Sequence, residues 1–245
     1  MKTKRIAVIF TLIASVFILS ACGMPVTRGS GIMATETRQV SGYDAIEVEG
    51  FGKLIITQGD NESLEIEAED NILPHITTKV RSGTLRIGYD EKGWRSTILP
   101  TSPVTFYIEV KDLNRIDLSG AADIQMDELQ TTRLDLDVSG AGNVEIDNLQ
   151  AQHLNVIYSG AGECKLGGEV QEQEVQVSGL GNYQAAALKS QTASVSLSGA
   201  GNMKVWAEDS LNIEVSGAGS VEYWGNPHVS QGISGIGNIQ SRGRK

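Results

Sequence analysis

The chain is poor in residues that cross-link or stiffen a fold: of 245 residues 2 are cysteine and 5 proline, and 5% are aromatic. Two cysteines cannot build a disulfide framework. So little proline, with glycine in no every-third-residue period, excludes a collagen-like helix. Basic residues are also in deficit, 20 Lys and Arg against 30 Asp and Glu, for a formal net charge of −10. A nucleic-acid surface needs clustered Lys and Arg to meet phosphates, so that class of partner is excluded. Long apolar runs are confined to Ile6–Leu19. What the chain does have is 40% hydrophobic residues, too many for wholesale disorder and enough for a packed core. It also has 28 glycines, which need a cause.

Lys2, Lys4 and Arg5 precede the apolar run, which is short for a membrane span and has the form of a secretory signal over residues 1–21. The run closes on Leu19-Ser20-Ala21-Cys22, which resembles the lipobox of bacterial lipoproteins. The resemblance implies cleavage before Cys22, a diacylglyceryl thioether on its sulfur and an acylated amino group. Several acyl chains at one residue hold a membrane far better than one, since each buried CH₂ contributes about 0.8 kcal/mol. Gly23 in place of Asp implies outer-membrane sorting in a bacterium with two membranes. Loss of the signal removes three basic residues and no acidic one, leaving a formal −13. Residues 22–38 read as the lipid anchor and a flexible tether rich in Gly, Ser and Thr.

Beyond the tether the sequence repeats. A five-residue block beginning Ser-Gly occurs seven times between Ser119 and Asn238, with steps of 20, 20, 19, 20, 18 and 18 residues between serines. A period of this kind marks a stack of one supersecondary unit. Before the serine, apolar residues alternate with polar ones, as in Leu134/Leu136/Val138 and Leu211/Ile213/Val215. After it two more recur, as in Val144/Ile146 and Met203/Val205. Alternation of period two is a strand with one buried face. Each unit is therefore two short strands joined by the tight Ser-Gly turn and, opposite, by a looser polar turn such as Asp147–Ala151.

Such a unit cannot bury a face alone, but units stacked at about 4.8 Å per coil enclose a narrow core between two parallel sheets. The predicted fold is all-β, a right-handed single-stranded parallel β-helix (a β-solenoid) with coils of 18–20 residues. A left-handed hexapeptide helix is the rival. Steps of 19 and 20, and apolar positions two rather than six apart, count against it.

The blocks hold thirteen of the glycines: Gly120 alone in the first, then Gly140 and Gly142, Gly160 and Gly162, Gly179 and Gly181, Gly199 and Gly201, Gly217 and Gly219, Gly235 and Gly237. Two backbone reasons would require them, a positive φ or a close approach of turn on turn that a Cβ would obstruct. Asn143, Asn182, Asn202 and Asn238 fill the fifth place. They either form an amide ladder from coil to coil or simply tolerate the turn. Residues 39–118 are less regular, with alternating pairs such as Ile46/Val48, Leu54/Ile56 and Leu85/Ile87. They read as the N-terminal part of the same solenoid with an insertion around 91–103, a separate β-domain being the alternative. The repeats then cover 119–240, and a basic tail, 241–245, follows.

Gln39-Val-Ser-Gly-Tyr-Asp-Ala-Ile-Glu-Val-Glu-Gly50, Leu54-Ile-Ile-Thr-Gln-Gly59 and the Ser-Gly-Ala-Gly-Asn blocks together resemble the autotransporter-adhesin head, or GIN, domain family. The resemblance covers nearly all of 40–240. It implies a pectin-lyase-like right-handed β-helix, exported and often lipid-anchored, with an adhesive role inferred from architecture and no catalytic residues to carry over. Ala122 in place of Gly, and Glu163 or Ser220 in place of Asn, depart from the pattern at single turns.

Candidate chemistry is sparse. Cys164 falls at an inward position and reads as a small core hydrophobe without a neighbouring base. His75, His153 and His228 lack metal-ligand spacing. Asp117 and Asp137 share one outward register with Asp135 beside them, so stacked carboxylates could take Ca²⁺ or serve a pectin-type lyase or hydrolase. A −13 chain repels such a polyanion. Trp206 and Trp224 fall outward on successive coils, about 5 Å apart in height, where a sugar ring or protein partner could stack. No cofactor is implied, since Gly-x-Gly recurs without a following helix or Lys. The reading is a non-enzymatic, lipid-anchored envelope β-helix held to the membrane through Cys22, which binds or adheres to a glycan or an envelope protein. The alternatives are a carbohydrate-active enzyme on the same fold and a structural or regulatory protein with a protein partner.

Overall fold

The computed structural model describes residues 26–90 and 97–245; the signal segment and Cys22 lie outside them. The alternating segments are strands that stack in parallel, coil on coil, as a β-solenoid. Ahead of the Ser-Gly turns, Ala45–Val48, Arg115–Leu118 and Arg133–Val138 pair in succession, and the row continues through 153–158, 172–177, 192–197 and 210–215 to His228–Ile233. Behind the turns, Phe51–Gln58, Ala121–Gln130 and the first residues of each later coil form a second row, which ends with Ala218–Trp224 and Ile236–Ser241. The alternation works as predicted: Ile46, Ile116, Leu136, Val156, Val175, Val195 and Ile213 lie in one inward register and are all buried.

The polar turn opposite is not loose. Single strands Val144–Tyr158, Ala161–Val177, Leu180–Leu197 and Ala200–Val215 run through it. The cause is a set of buried apolar corner residues in two adjoining registers, Leu129, Leu149 and Leu188 in one, with Gly168 between the last two, and Val170 and Ala207 in the other, with Ser190 between them. With a side chain in the core there, the corner backbone pairs with its neighbouring coils instead of with water. Register shifts at Ile146/Leu149, Lys165/Gly167 and Ala185/Lys189 absorb the unequal coil lengths.

Residues 39–118 share these sheets and this core, so they are not a separate domain. Their stacking order departs from chain order. Thr84–Tyr89 and Thr105–Val110 lie beneath Ala45–Val48 and Phe51–Gln58, and the chain then passes to Arg115 above them. Antiparallel strands close this end: Ser63–Glu69 on Thr105–Val110, Met33–Arg38 on Ser63–Glu69, and Ile76–Arg81 on Thr84–Tyr89. A tether running to residue 38 is therefore corrected. Val26–Arg28 pairs with Thr97–Leu99, and all six residues of Met33–Arg38 are strand-paired. An eighth turn block, Glu49-Gly50-Phe51-Gly52-Lys53, sits in register beneath Ser119–Asp123. Glu for Ser, and a step of 70 residues, hid it from the repeat.

The glycine cause is close stacking. Among the thirteen block glycines only Gly162 has a positive φ, of 137°. A Cβ on Gly120, Gly140, Gly160, Gly179, Gly199, Gly217 or Gly235 would come within 3.0 Å of the carbonyl oxygen of the glycine one coil earlier. That oxygen is also the acceptor for the next residue's N–H, as in Ala141 to Gly120 at 2.9 Å and Ala200 to Gly179 at 3.0 Å. A second glycine meets the same obstacle at Gly142, Gly201 and Gly219. The fifth place forms a ladder in two runs. Asn143 N–H and Nδ2 donate to Asp123, and Glu163 N–H to Asn143; Asn202 N–H then donates to Asn182, and Ser220 Oγ to Asn202.

Gly199→Ala is expected to lower stability by about 1–3 kcal/mol or more, because neither carbonyl nor turn can retreat without breaking a ladder bond. Gly232→Ala, whose Cβ meets nothing within 4 Å, should stay within about 0.5 kcal/mol of the parent. Thermal and urea denaturation followed by circular dichroism compare the two.

Candidate functional site

Each coil passes its corner with polar side chains outward, because the inward corner position is taken by one apolar residue. The result is a groove along the stack. One stretch of about 860 Å³ is lined by Asn148, Gln150, Ala151, His153, Glu169, Gln171, Glu172, Gln191 and Thr192. A second, of about 850 Å³, continues from it through the shared Gln150 and Ala151 to Gln130, Thr131, Thr132, Arg133, Asp135 and Asn114. A third, of about 360 Å³, shares Glu172 and Thr192 and extends to Ser194, Ser210 and Asn212. Neutral amides and hydroxyls dominate, each offering both donors and acceptors. The sequence reading missed this feature, although Gln130, Gln150, Gln171 and Gln191 recur about one coil apart.

The acidic residues are brought together as expected, and Glu47, Asp117 and Asp135 are engaged by arginines. Glu47, Asp117 and Asp137 stand in one register on successive coils, and Asp135 lies level with Arg115. Arg115 pairs with Asp117 at 2.9 Å, Arg86 with Glu47 at 3.1 Å, and Arg133 grips both oxygens of Asp135 at 2.8–3.0 Å. The hydrogen bonds from Arg133 hold Asp135 below the usual carboxylate range. Partial burial, then the charge of Asp117, pushes Asp137 up. The row stops at Ile157, which follows Asp137 in register. Among the described residues no three His, Cys, Asp or Glu groups gather to hold a metal ion. The histidines lie apart: His153 faces Glu172 at 3.1 Å in the groove, His75 lies 3.5 Å from Asp90, and His228 is exposed on the last coil.

Trp206 and Trp224 are register partners on adjacent coils, as the spacing predicts. They are half-buried rather than open, since the 241–245 segment is docked there, with Lys245 over both rings.

A family profile described as "Putative auto-transporter adhesin, head GIN domain" matches residues 42–227. The chain belongs to the GIN-domain family. Among solved structures it is similar to a "putative adhesin" from Bacteroides fragilis NCTC 9343, with 29% identity and a TM-score of 0.84 over 88% of this chain and 99% of that one. It shares the fold of a "Putative lipid binding protein" from Parabacteroides distasonis ATCC 8503, at 24% identity and TM-score 0.71 over 88% and 98% of the two chains. It also shares the fold of a "putative adhesin" from Parabacteroides merdae ATCC 43184, at 18% identity and TM-score 0.66 over 89% and 99%. No curated protein matches.

Inside this GIN domain, Cys164 is fully buried and its thiol is pushed up to about 12 by burial, then by the charge of Glu163. The core reading of Cys164 holds. The core does contain one polar device that the sequence reading missed. Gln173 takes the inward position between Leu154 and Ala193, accepts from Tyr183 Oη at 3.0 Å and donates to Ser190 Oγ at 2.8 Å. Ser190 in turn donates to the Trp206 carbonyl at 2.8 Å. A polar residue in an apolar register was the available signal.

At the opposite end, the buried Glu69 carboxylate clasps the first strands to the cap. It accepts from Gly31 N–H at 2.7 Å, Thr101 N–H at 2.8 Å and the Thr101 hydroxyl. These bonds, the Thr101 hydroxyl foremost, hold its pKa below the ordinary 4.5. A depressed folded-state value stabilises fully above the unfolded value and is lost as pH falls through the folded one. Glu69→Gln should therefore melt below the parent at pH 7, and the gap should close as pH falls below 4.5. Melting temperature against pH for both proteins measures it, and a gap constant with pH would refute the clasp.

Proposed function

We propose that this protein is a non-enzymatic, lipid-anchored envelope adhesin whose corner groove binds a neutral glycan. The observation that carries the reading is the continuous amide- and hydroxyl-lined groove along successive coils. Sugar hydroxyls both donate and accept, and Gln, Asn, Thr and Ser match them without the cost of desolvating a charge. The acidic balance disfavours a polyanionic sugar. Of the acids that border the groove, Asp135 pairs with Arg133, Glu172 with His153 and Asp44 accepts from Asn114, while Asp112 and Glu169 stand among the amides. Membership of an adhesin-like family, and likeness to an adhesin from Bacteroides fragilis, support binding over catalysis.

The anchor supports the same reading. Three residues separate Cys22 from the first strand, Val26–Arg28, so the four steps between Cys22 and Val26 span at most about 14 Å. A lipid on Cys22 would hold the capped end of the solenoid at the membrane and let the groove run outward.

Glycan-array binding of the lipid-free protein beginning at Gly23 tests the groove. Neutral oligosaccharides should bind, and Gln150→Ala with Gln171→Ala should weaken binding about tenfold, as two hydrogen bonds of about 0.5–1.5 kcal/mol each are lost. Both side chains are exposed, so the fold should be unaffected. No neutral glycan bound, or binding indifferent to both substitutions, would point to a protein partner instead. The anchor is tested separately: Cys22→Ser should move the protein from the membrane to the soluble fraction of fractionated cells.

A further inference from the structure

The solenoid carries a bulge between the coils 180–197 and 200–215. Ala185 pairs with Val205 and Lys189 with Trp206, so 186–188 have no partner in the later coil. Such a bulge frees backbone groups from the ladder. The freed carbonyl of Ala186 accepts from Nζ of Lys245 at 2.7 Å. That same ammonium lies 5.1 Å from the ring centroid of Trp206 and 5.4 Å from that of Trp224. The rings are register partners, and Trp206 Nε1 donates to Glu208 at 3.0 Å, which sets the plane of its indole.

The segment that delivers Lys245 is itself directed. Arg242 N–H donates to the Tyr223 carbonyl at 2.8 Å, and its guanidinium grips Glu222 at 2.6 and 3.1 Å. Gly225 N–H donates to the Gly243 carbonyl at 3.0 Å, and Gly243, at φ 80°, turns the chain back. Ala186 also borders a groove of about 330 Å³ with Leu166 and Ala187, in which Asp147 and Glu163 offset Lys165 and Lys204.

We propose that the Ala186 carbonyl and the rings of Trp206 and Trp224 form a binding site for a primary ammonium on an alkyl stem, held in cis by Lys245 and available to a ligand of that chemistry when residues 242–245 lift. The chemistry selects the ligand class. Indole faces attract any cation, but a lone carbonyl needs an N–H donor, which a quaternary ammonium lacks. The stem has the adjoining groove to lie in. Nothing in the site belongs to the polar corner groove, so it stands or falls independently of glycan binding.

The test titrates the full-length protein beginning at Gly23 with n-butylammonium, followed by tryptophan fluorescence. An intramolecular ammonium competes at millimolar effective concentration. Lys245→Ala, an exposed change, should therefore saturate at an n-butylammonium concentration at least about tenfold below that of the parent. Tetramethylammonium should bind the same variant more weakly. Adding Trp224→Leu should abolish the response of Trp206, read with Trp94→Phe in every protein compared so that no third indole contributes, with circular dichroism to confirm the fold. Identical responses of parent and Lys245→Ala, no saturable response in either, or a preference for tetramethylammonium would each overturn the proposal.

Discussion

The contact on which the rest of the structure depends is the approach of one glycine Cα to the carbonyl of the glycine one coil earlier. That carbonyl accepts the next coil's N–H, as Gly120 does from Ala141 and Gly199 from Ala218, and it occupies the space a Cβ would need. The turn therefore stacks at the same spacing as the strands on either side of it, about 4.8 Å. If the turns stood further apart, the two rows would splay and the ladders would lose register. Because they do not, inward side chains fall directly above one another, and a narrow core of Val, Ile and Leu suffices.

Strict stacking has a corollary on the outside. Every outward position becomes a row, so one residue choice, repeated a coil apart, makes a surface. At the corner the choice is Gln, Asn or Thr, and the rows merge into a polar groove. On the first row it is acid near the cap, where Arg115 and Arg133 pair with Asp117 and Asp135 two residues along the same strands. The fold thus converts a composition into an extended polar face rather than a convergent pocket. Where the regular stacking lapses, the chemistry becomes local. The Ala186–Leu188 bulge exposes a carbonyl, and the Trp206/Trp224 pair beside it accommodates a cation.

The ends of such a stack differ from its middle, since the terminal coil has a neighbour on one side only. Here the N-terminal end is closed by antiparallel strands, with Met33–Arg38 outermost and Glu69 joining the entering chain to the cap. The buried carboxylate accepts the backbone N–H groups of Gly31 and Thr101, which no ladder reaches.

Period and alternation were enough to specify the solenoid, the inward register of Cys164 and the pairing of Trp206 with Trp224, because each depends only on a repeat that the chain states explicitly. The same local information could not separate positive φ from close stacking at Gly140 or Gly199, since both demand glycine. It could not show that Leu149 and Leu188 make a third inward row, because one apolar residue inside a polar turn carries no period. Nor could it reveal that Thr84–Tyr89 lies beneath Ala45–Val48, or that Asp117 and Asp135 are held by arginines. Stacking order and the course of the 242–245 segment are decided by contacts between residues far apart in sequence, and these exist only once the coils have assembled. The sequence by itself determined the period, the buried faces and the need for glycine at the turn; the tertiary structure decided which coil lies on which, and so which outward side chains meet.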